Sequence, residues 1–210
     1  MSSVELLTVS VQNARVILLA GPSGSGKSYV ARRTGLPVLC LDDFYKDGTD
    51  PTLPQAQGIV DWESPESWNA EAAIAAIAEL SASGQALIPV YDIGQSARVA
   101  DRLFAIDDQS MFVAEGIFAA ELVTRCAELG LLADAIALKR PRTVTFTRRL
   151  VRDLAEHRKA PSVLFRRGIR LFREDPTVLG RAYLLGCRPM SARKIWARVE
   201  SLKSASRTRA

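Results

Sequence analysis

One run of eight residues constrains this chain more than any other: Gly21-Pro22-Ser23-Gly24-Ser25-Gly26-Lys27-Ser28, set directly after the apolar stretch Val16–Ala20. It fits the pattern GxxxxGK[ST]. In such a run the glycines let successive backbone N–H groups curl around a phosphate. The lysine reaches the β- and γ-phosphates, and the serine hydroxyl takes a place on Mg²⁺. A strand has to deliver the loop and a helix has to leave it, adding its positive dipole end. The run therefore predicts a nucleoside triphosphate and Mg²⁺ held by Gly21, Pro22, Ser23, Gly24, Ser25, Gly26, Lys27, Ser28 and the adjoining Tyr29, and ATP is the cofactor expected for the chain as a whole.

The rest of the chain supplies a scaffold to match. Short apolar runs alternate with longer helical stretches, the pattern of a parallel sheet covered by helices. The expected strands are Arg15–Ala20, Pro37–Leu41, Ala86–Val90, Met111–Ala114 and Ala133–Leu138. Their near-continuous hydrophobicity suits burial on both faces. Expected helices are Lys27–Arg33, Pro65–Ser81, Phe118–Leu129, Arg142–His157, Ser162–Arg173, Thr177–Leu185 and Ser191–Lys203. Between them, Lys46–Ser64 reads as a loop carrying Gly48, Pro51, Pro54 and Gly58. Long loops at the carboxyl ends of parallel strands are where such folds place ligands. The fold class is thus α/β: a P-loop NTPase three-layer sandwich with a five-stranded, mostly parallel sheet and a helical lid. No linker divides the 210 residues, so a single domain is expected.

Several classes fall away on composition. The longest apolar runs are far short of the roughly 20 residues that span a bilayer. No basic-then-apolar signal pattern opens the chain, and three cysteines without a CxxC pair read as reduced thiols, so a cytoplasmic protein is expected. A single histidine, His157, rules out a multi-histidine metal site. There is no NKxD sequence of the kind a guanine-specific GTPase would normally show, and no room for a helicase or transporter module. Small P-loop kinases remain.

A kinase needs acids beside its phosphate loop. The second expected strand ends in Leu41-Asp42-Asp43-Phe44-Tyr45-Lys46, and the fourth in Ala114-Glu115-Gly116-Ile117. An acid at the mouth of a neighbouring strand can face the terminal phosphate and take a proton from an attacking hydroxyl. An acid after an apolar run is the expected metal- or water-holding partner of Ser28. The metal set is then Ser28, Asp42 and Glu115.

These segments resemble a known family. The loop, LDDFYK at 41–46, WESPESW at 62–68, IPVYD at 88–92, AEGIFA at 114–119 and RRLVRD at 148–153 recur in the order seen in uridine kinases and uridine–cytidine kinases. The resemblance covers roughly residues 15–175 and implies a nucleoside/nucleotide-kinase-like fold with a lid at about 140–175. It implies that Asp42 activates the nucleoside 5′-hydroxyl, with Lys27, Arg149 and Arg152 on the phosphates. It further implies that Tyr45, Trp62 and Tyr91 form the nucleoside pocket and that Glu63 accepts from the ribose hydroxyls. Asp61 is a second candidate for that acid. Asp43 reads as a turn or cap residue, and Trp68 and Phe44 serve equally well as core.

Two departures bear on substrate. The family places a histidine that helps read the pyrimidine edge after PVYD, in a serine–arginine context; here Ser96 stands there, ahead of Arg98. The family's ERGR lid sequence appears as Glu156-His157-Arg158-Lys159. Phosphoryl transfer survives these changes, while uridine specificity becomes an open question.

Charge is divided unevenly. Residues 1–138 hold 8 Lys+Arg against 18 Asp+Glu, and residues 139–210 hold 20 against 5. A lid closing over a triphosphate needs several cations. The others, through a polar tail at about 203–210, lack the interleaved aromatics or recognised module of a nucleic-acid binder. The expectation is a kinase acting on a small-molecule nucleoside, without membrane or nucleic-acid partners and with a homo-oligomer open. Its alternatives are a P-loop kinase for another small hydroxylated metabolite, and a nucleotide-binding regulatory protein contacting RNA through the basic third.

Overall fold

A computed structural model of the protein describes residues 13–56, 58–141, 143–148 and 177–208. Arg149, Arg152, His157, the expected helix Ser162–Arg173 and most of the lid segment lie outside the described residues.

The central sheet is built on β1 (Arg15–Ala20), where every residue after Arg15 is buried. Alternation sends Val16, Leu18 and Ala20 to one face and Ile17 and Leu19 to the other, and each set joins a different core cluster. The sheet adds β2 (Val38–Cys40), β7 (Met111–Glu115), β8 (Leu132–Leu138) and β9 (Arg188–Met190), all parallel, in the order β2-β7-β1-β8-β9. Register places Glu115 opposite Leu19 on one side and Cys40 on the other. The carboxyl ends of β1, β7 and β2 therefore finish level and side by side.

Helices cover both faces. On one side lie α1 (Lys27–Arg32) and the C-terminal helix Ala192–Arg207, which bury Val30, Ala31, Ile195 and Val199 against Ile17 and Leu19. On the other lies α2 (Ala70–Ser83), with Ala73, Ile74, Ile77 and Leu80 inward at three- and four-residue spacing. The Asn69 side chain accepts from the Ala72 N–H at 3.0 Å, capping its start, and Gly84 ends it in the left-handed conformation at φ 77°. A 3₁₀ turn, Ala119–Leu122, and α3 (Val123–Glu128) complete this layer. No described helix is long and apolar enough to cross a membrane.

Two expectations are corrected here. The segment Ala86–Val90 does not join the parallel sheet. It lies within β5 (Gln85–Asp92), paired antiparallel with β6 (Ala97–Ala105) in a separate two-stranded sheet. The chain reverses within residues 93–96, with Ser96 at φ 51°, and so short a connection permits only antiparallel pairing. Ala86 and Ile88 enter the core while Leu87 between them is 62% exposed, the alternation of a one-sided sheet. The fifth parallel strand is instead β9, whose sequence Arg-Pro-Met carries no apolar run because it is a short edge strand.

The loop 46–64 holds a small hairpin of β3 (Gln55–Ala56) and β4 (Ile59–Val60). The C-terminal helix runs through Arg207, beyond the start of the expected tail. Several cations of the basic third are tied back to the acidic part of the chain. Arg181 makes two hydrogen bonds to Glu121, at 2.5 and 3.0 Å. Arg188 and Arg198 converge on the buried Asp134 at 2.5 and 2.7 Å. Lys203 donates to the Thr34 carbonyl, and Arg33 stacks over Trp196 at 4.5 Å.

Candidate active site

The loop leaving β1 has Gly21, Gly24 and Gly26 at φ 150°, 79° and 85°. A side chain rarely adopts these angles, so the glycines are required by the curl itself. Lys27 is buried, 7% exposed, and its Nζ donates to the Pro22 carbonyl at 3.3 Å, folding the side chain back across the loop. Ser25 is fully buried, and its Oγ has no hydrogen-bond partner among the described residues. A buried unpaired hydroxyl inside a curl of backbone N–H groups fits a loop built around the oxygens of a phosphate.

Glu115 ends the strand between β1 and β2, so it faces the loop on one side and Asp42 on the other. The Ser28 hydroxyl donates to its carboxylate. Burial pushes the Glu115 carboxyl above the ordinary range; Lys27 and the Ser28 hydrogen bond pull it down, and Asp42 adds to the rise. Asp42 sits in the 3₁₀ turn Leu41–Phe44 that follows β2. Close approach is secured by Gly116. A Cβ there would lie 2.8 Å from Leu41 Cβ and 3.3 Å from Asp42 Oδ1. Asp43 turns the other way, toward Arg102 at 3.8 Å, where it holds the turn to β6.

Ser28, Asp42 and Glu115 thus form one hard-oxygen group beside Lys27. Among the described residues no cluster of three or more His, Cys, Asp or Glu could hold a metal. Two carboxylates and a hydroxyl fit Mg²⁺, which keeps several waters and shares its remaining positions with phosphate oxygens. The Cys40 thiol beside this group is pushed up to about 12, by burial first and then by Asp42 and Glu115.

A second group lies one turn further on. Tyr45 packs on Trp62, Tyr91 and Phe118, with ring centroids 5.8, 5.8 and 5.9 Å apart. Its hydroxyl donates to the Trp62 carbonyl at 3.1 Å, and the Tyr91 hydroxyl donates to the Lys46 carbonyl at 3.1 Å. A register shift in β5 between Val90 and Tyr91 re-aims Tyr91 toward this cluster. Ser96 donates to the Tyr91 oxygen, and its carbonyl accepts from the Gly48 N–H at 2.6 Å. Trp62 and Ser96 line an open cleft of about 890 Å³ between the loop 47–62 and the turn at 95–97. Asp61 Oδ1 accepts from the Glu63 N–H at 3.1 Å, so Asp61 shapes the turn that presents Glu63.

The other expected residues have partners of their own. Tyr29 is 55% exposed on the outer side of α1, its hydroxyl accepting from Arg33 at 3.0 Å. The Arg98 guanidinium is engaged by Asp101, with Nε at 2.8 Å, and its N–H donates to Asp47 at 2.7 Å. Trp68 and Phe44 are core residues at 4% and 3% exposure, with Trp68 Nε1 donating to the Leu41 carbonyl at 2.7 Å. Three residues at the site were not singled out for it by sequence. Phe118 closes the aromatic cluster, and its place in AEGIFA was the available signal. Arg140 and Arg148 reach the loop at Gly26; their signal, a basic run after β8, pointed equally to the residues that follow.

Comparison with known proteins gives a consistent picture. The model of the phosphoribulokinase / uridine kinase family matches residues 16–160. The uridine kinase of Schizosaccharomyces pombe is 32% identical over 155 residues, 68% of this chain and 32% of its own. That of Saccharomyces cerevisiae is 31% identical over 147 residues, 66% of this chain and 29% of its own. The chain therefore spans about a third of the length of the curated relatives it matches. The solved phosphoribulokinase of Rhodobacter spheroides shares the fold, with a TM-score of 0.50 at 17% identity over 81% of this chain and 68% of that one.

Proposed function

Because this chain belongs to the phosphoribulokinase / uridine kinase family, we propose that it is an ATP-dependent phosphotransferase acting on a small-molecule alcohol, with the 5′-hydroxyl of uridine as the first acceptor. The observation that carries the reading is the gathering of Ser28, Asp42 and Glu115 beside Lys27, at the level ends of three adjacent strands.

In this reading the loop and Lys27 hold the triphosphate, and Ser28, Asp42 and Glu115 hold Mg²⁺. When bound, the metal neutralises charge on the phosphates. Asp42 accepts the proton of the acceptor hydroxyl and keeps that oxygen in line with the γ-phosphorus. Most of the rate gain then comes from positioning and charge neutralisation. The aromatic cluster of Tyr45, Trp62 and Tyr91 receives the base and sugar, and Glu63 takes the ribose hydroxyls. Arg149 and Arg152, outside the described residues, would in this reading serve the phosphates from a lid at about 140–175 of one kinase domain.

A second reading, transfer to another small hydroxylated metabolite, is favoured by Ser96. Its hydroxyl is given to Tyr91 and its backbone is fixed by Gly48, so it is part of the cleft wall and has a shorter reach than a base-reading histidine. A panel of nucleosides, sugar phosphates and pantothenate-like acids, assayed for Mg²⁺-dependent ADP release, separates the two. Uridine and cytidine should be the fastest acceptors. Turnover confined to a sugar phosphate or acid would establish the second reading, and ATP binding without any stimulated turnover would defeat both.

A further inference from the structure

We propose that Arg140 and Arg148 act as a guanidinium pair that grips the phosphate chain of the bound nucleotide over the loop at Gly26; this rests on the kinase reading above. The two side chains leave the segment after β8 and converge on a single backbone point. A Cβ placed on Gly26 would lie 2.8 Å from a terminal nitrogen of Arg148 and 4.0 Å from one of Arg140. The Nε of Arg140 is buried and has no hydrogen-bond partner among the described residues.

The arrangement is unlike that of Arg181, Arg188, Arg198 and Lys203, each of which reaches a carboxylate. No described acid pairs with Arg140 or Arg148. Burial and the neighbouring Arg148 charge push the Arg140 guanidinium below its ordinary range, with Tyr29 acting the other way. Two like charges brought together with a buried unpaired N–H are costly unless an anion joins them. A phosphate chain suits them. Its oxygens can take bidentate N–H contacts from planar guanidiniums, a geometry lysine cannot reproduce.

Calorimetric titration with inorganic tripolyphosphate and with Mg·ATP tests this on the whole protein, its Arg140→Gln and Arg148→Gln variants, and the double variant. Each single variant should bind both probes about tenfold more weakly, the scale of one charge-assisted hydrogen bond. The Tm of the ligand-free variants should stay level or rise, since a repulsion is removed, while the ATP-induced shift shrinks. Wild-type affinity for tripolyphosphate in the variants would overturn the pair while leaving the kinase reading intact. So would a loss of affinity that appears only with a lowered ligand-free Tm. Failure of the wild-type protein to bind either probe would remove the kinase reading itself.

Discussion

The hydroxyl of Ser28 donates to the carboxylate of Glu115, joining the first turn of α1 to the end of β7. This bond sets the hydroxyl beside a carboxyl that also feels the charge of Asp42, so Ser28 belongs with the two acids. Ser28→Ala should therefore weaken Mg·ATP more than metal-free ATP. Calorimetry with and without Mg²⁺ should show a loss of about tenfold or more for the complex, in the range of a charged hydrogen bond, and little change for ATP in EDTA. Equal losses in both conditions would mean that Ser28 serves the phosphate and not the metal.

Gly116, just past the end of β7, lies against the turn that follows β2. A methyl group there would meet Leu41 Cβ at 2.8 Å, inside any real contact distance, and Asp42 Oδ1 at 3.3 Å. Gly116→Ala has to push the 3₁₀ turn Leu41–Phe44 outward and carry Asp42 with it. ATP affinity should hold, while transfer falls by about a hundredfold, the scale of an ångström misplacement. Single-turnover kinetics beside equilibrium binding separates the two quantities. A matched loss in both would place the damage in the loop.

The tryptophans divide by burial. Trp68 is 4% exposed with its Nε1 committed to the Leu41 carbonyl, so Trp68→Ala should cost about 3–5 kcal/mol of stability. Trp62 is partly exposed at the cleft, and Trp62→Ala should raise KM for the acceptor while moving the urea midpoint little. Denaturation curves and acceptor KM values for the two variants check the division.

The sequence carried the site further than it carried the sheet. The loop was legible because its chemistry tolerates few residue types, and Asp42 and Glu115 because each follows an apolar run that ends at the sheet's edge of action. The membership of β9 was hidden, since an exposed three-residue edge strand needs no hydrophobic pattern. Ala86–Val90 looked like a parallel strand because two of its apolar residues do enter the core. Its partner Ala97–Ala105 is mostly exposed, with Val99 and Leu103 facing outward and Arg98, Asp101 and Arg102 breaking its apolar residues, so nothing marked the hairpin. Arg140 and Arg148 were equally obscure: twelve cations fall between 139 and 175, and only three dimensions sort those that reach Gly26 from the rest.

The most direct test of the account compares Asp42→Asn with Asp43→Asn. The two changes are the same in size and charge, at adjacent positions of one 3₁₀ turn, yet Asp42 faces Glu115 and Gly116 while Asp43 faces Arg102. Phosphate transfer to uridine, or to whichever acceptor proves fastest, is measured at saturating Mg·ATP beside ATP affinity for each variant. The account predicts that both bind ATP nearly as wild type, that Asp42→Asn loses transfer by roughly a hundredfold to ten-thousandfold, and that Asp43→Asn loses little. Crippled transfer in Asp43→Asn with normal transfer in Asp42→Asn would assign the base to the wrong neighbour, and normal transfer in both would contradict the mechanism.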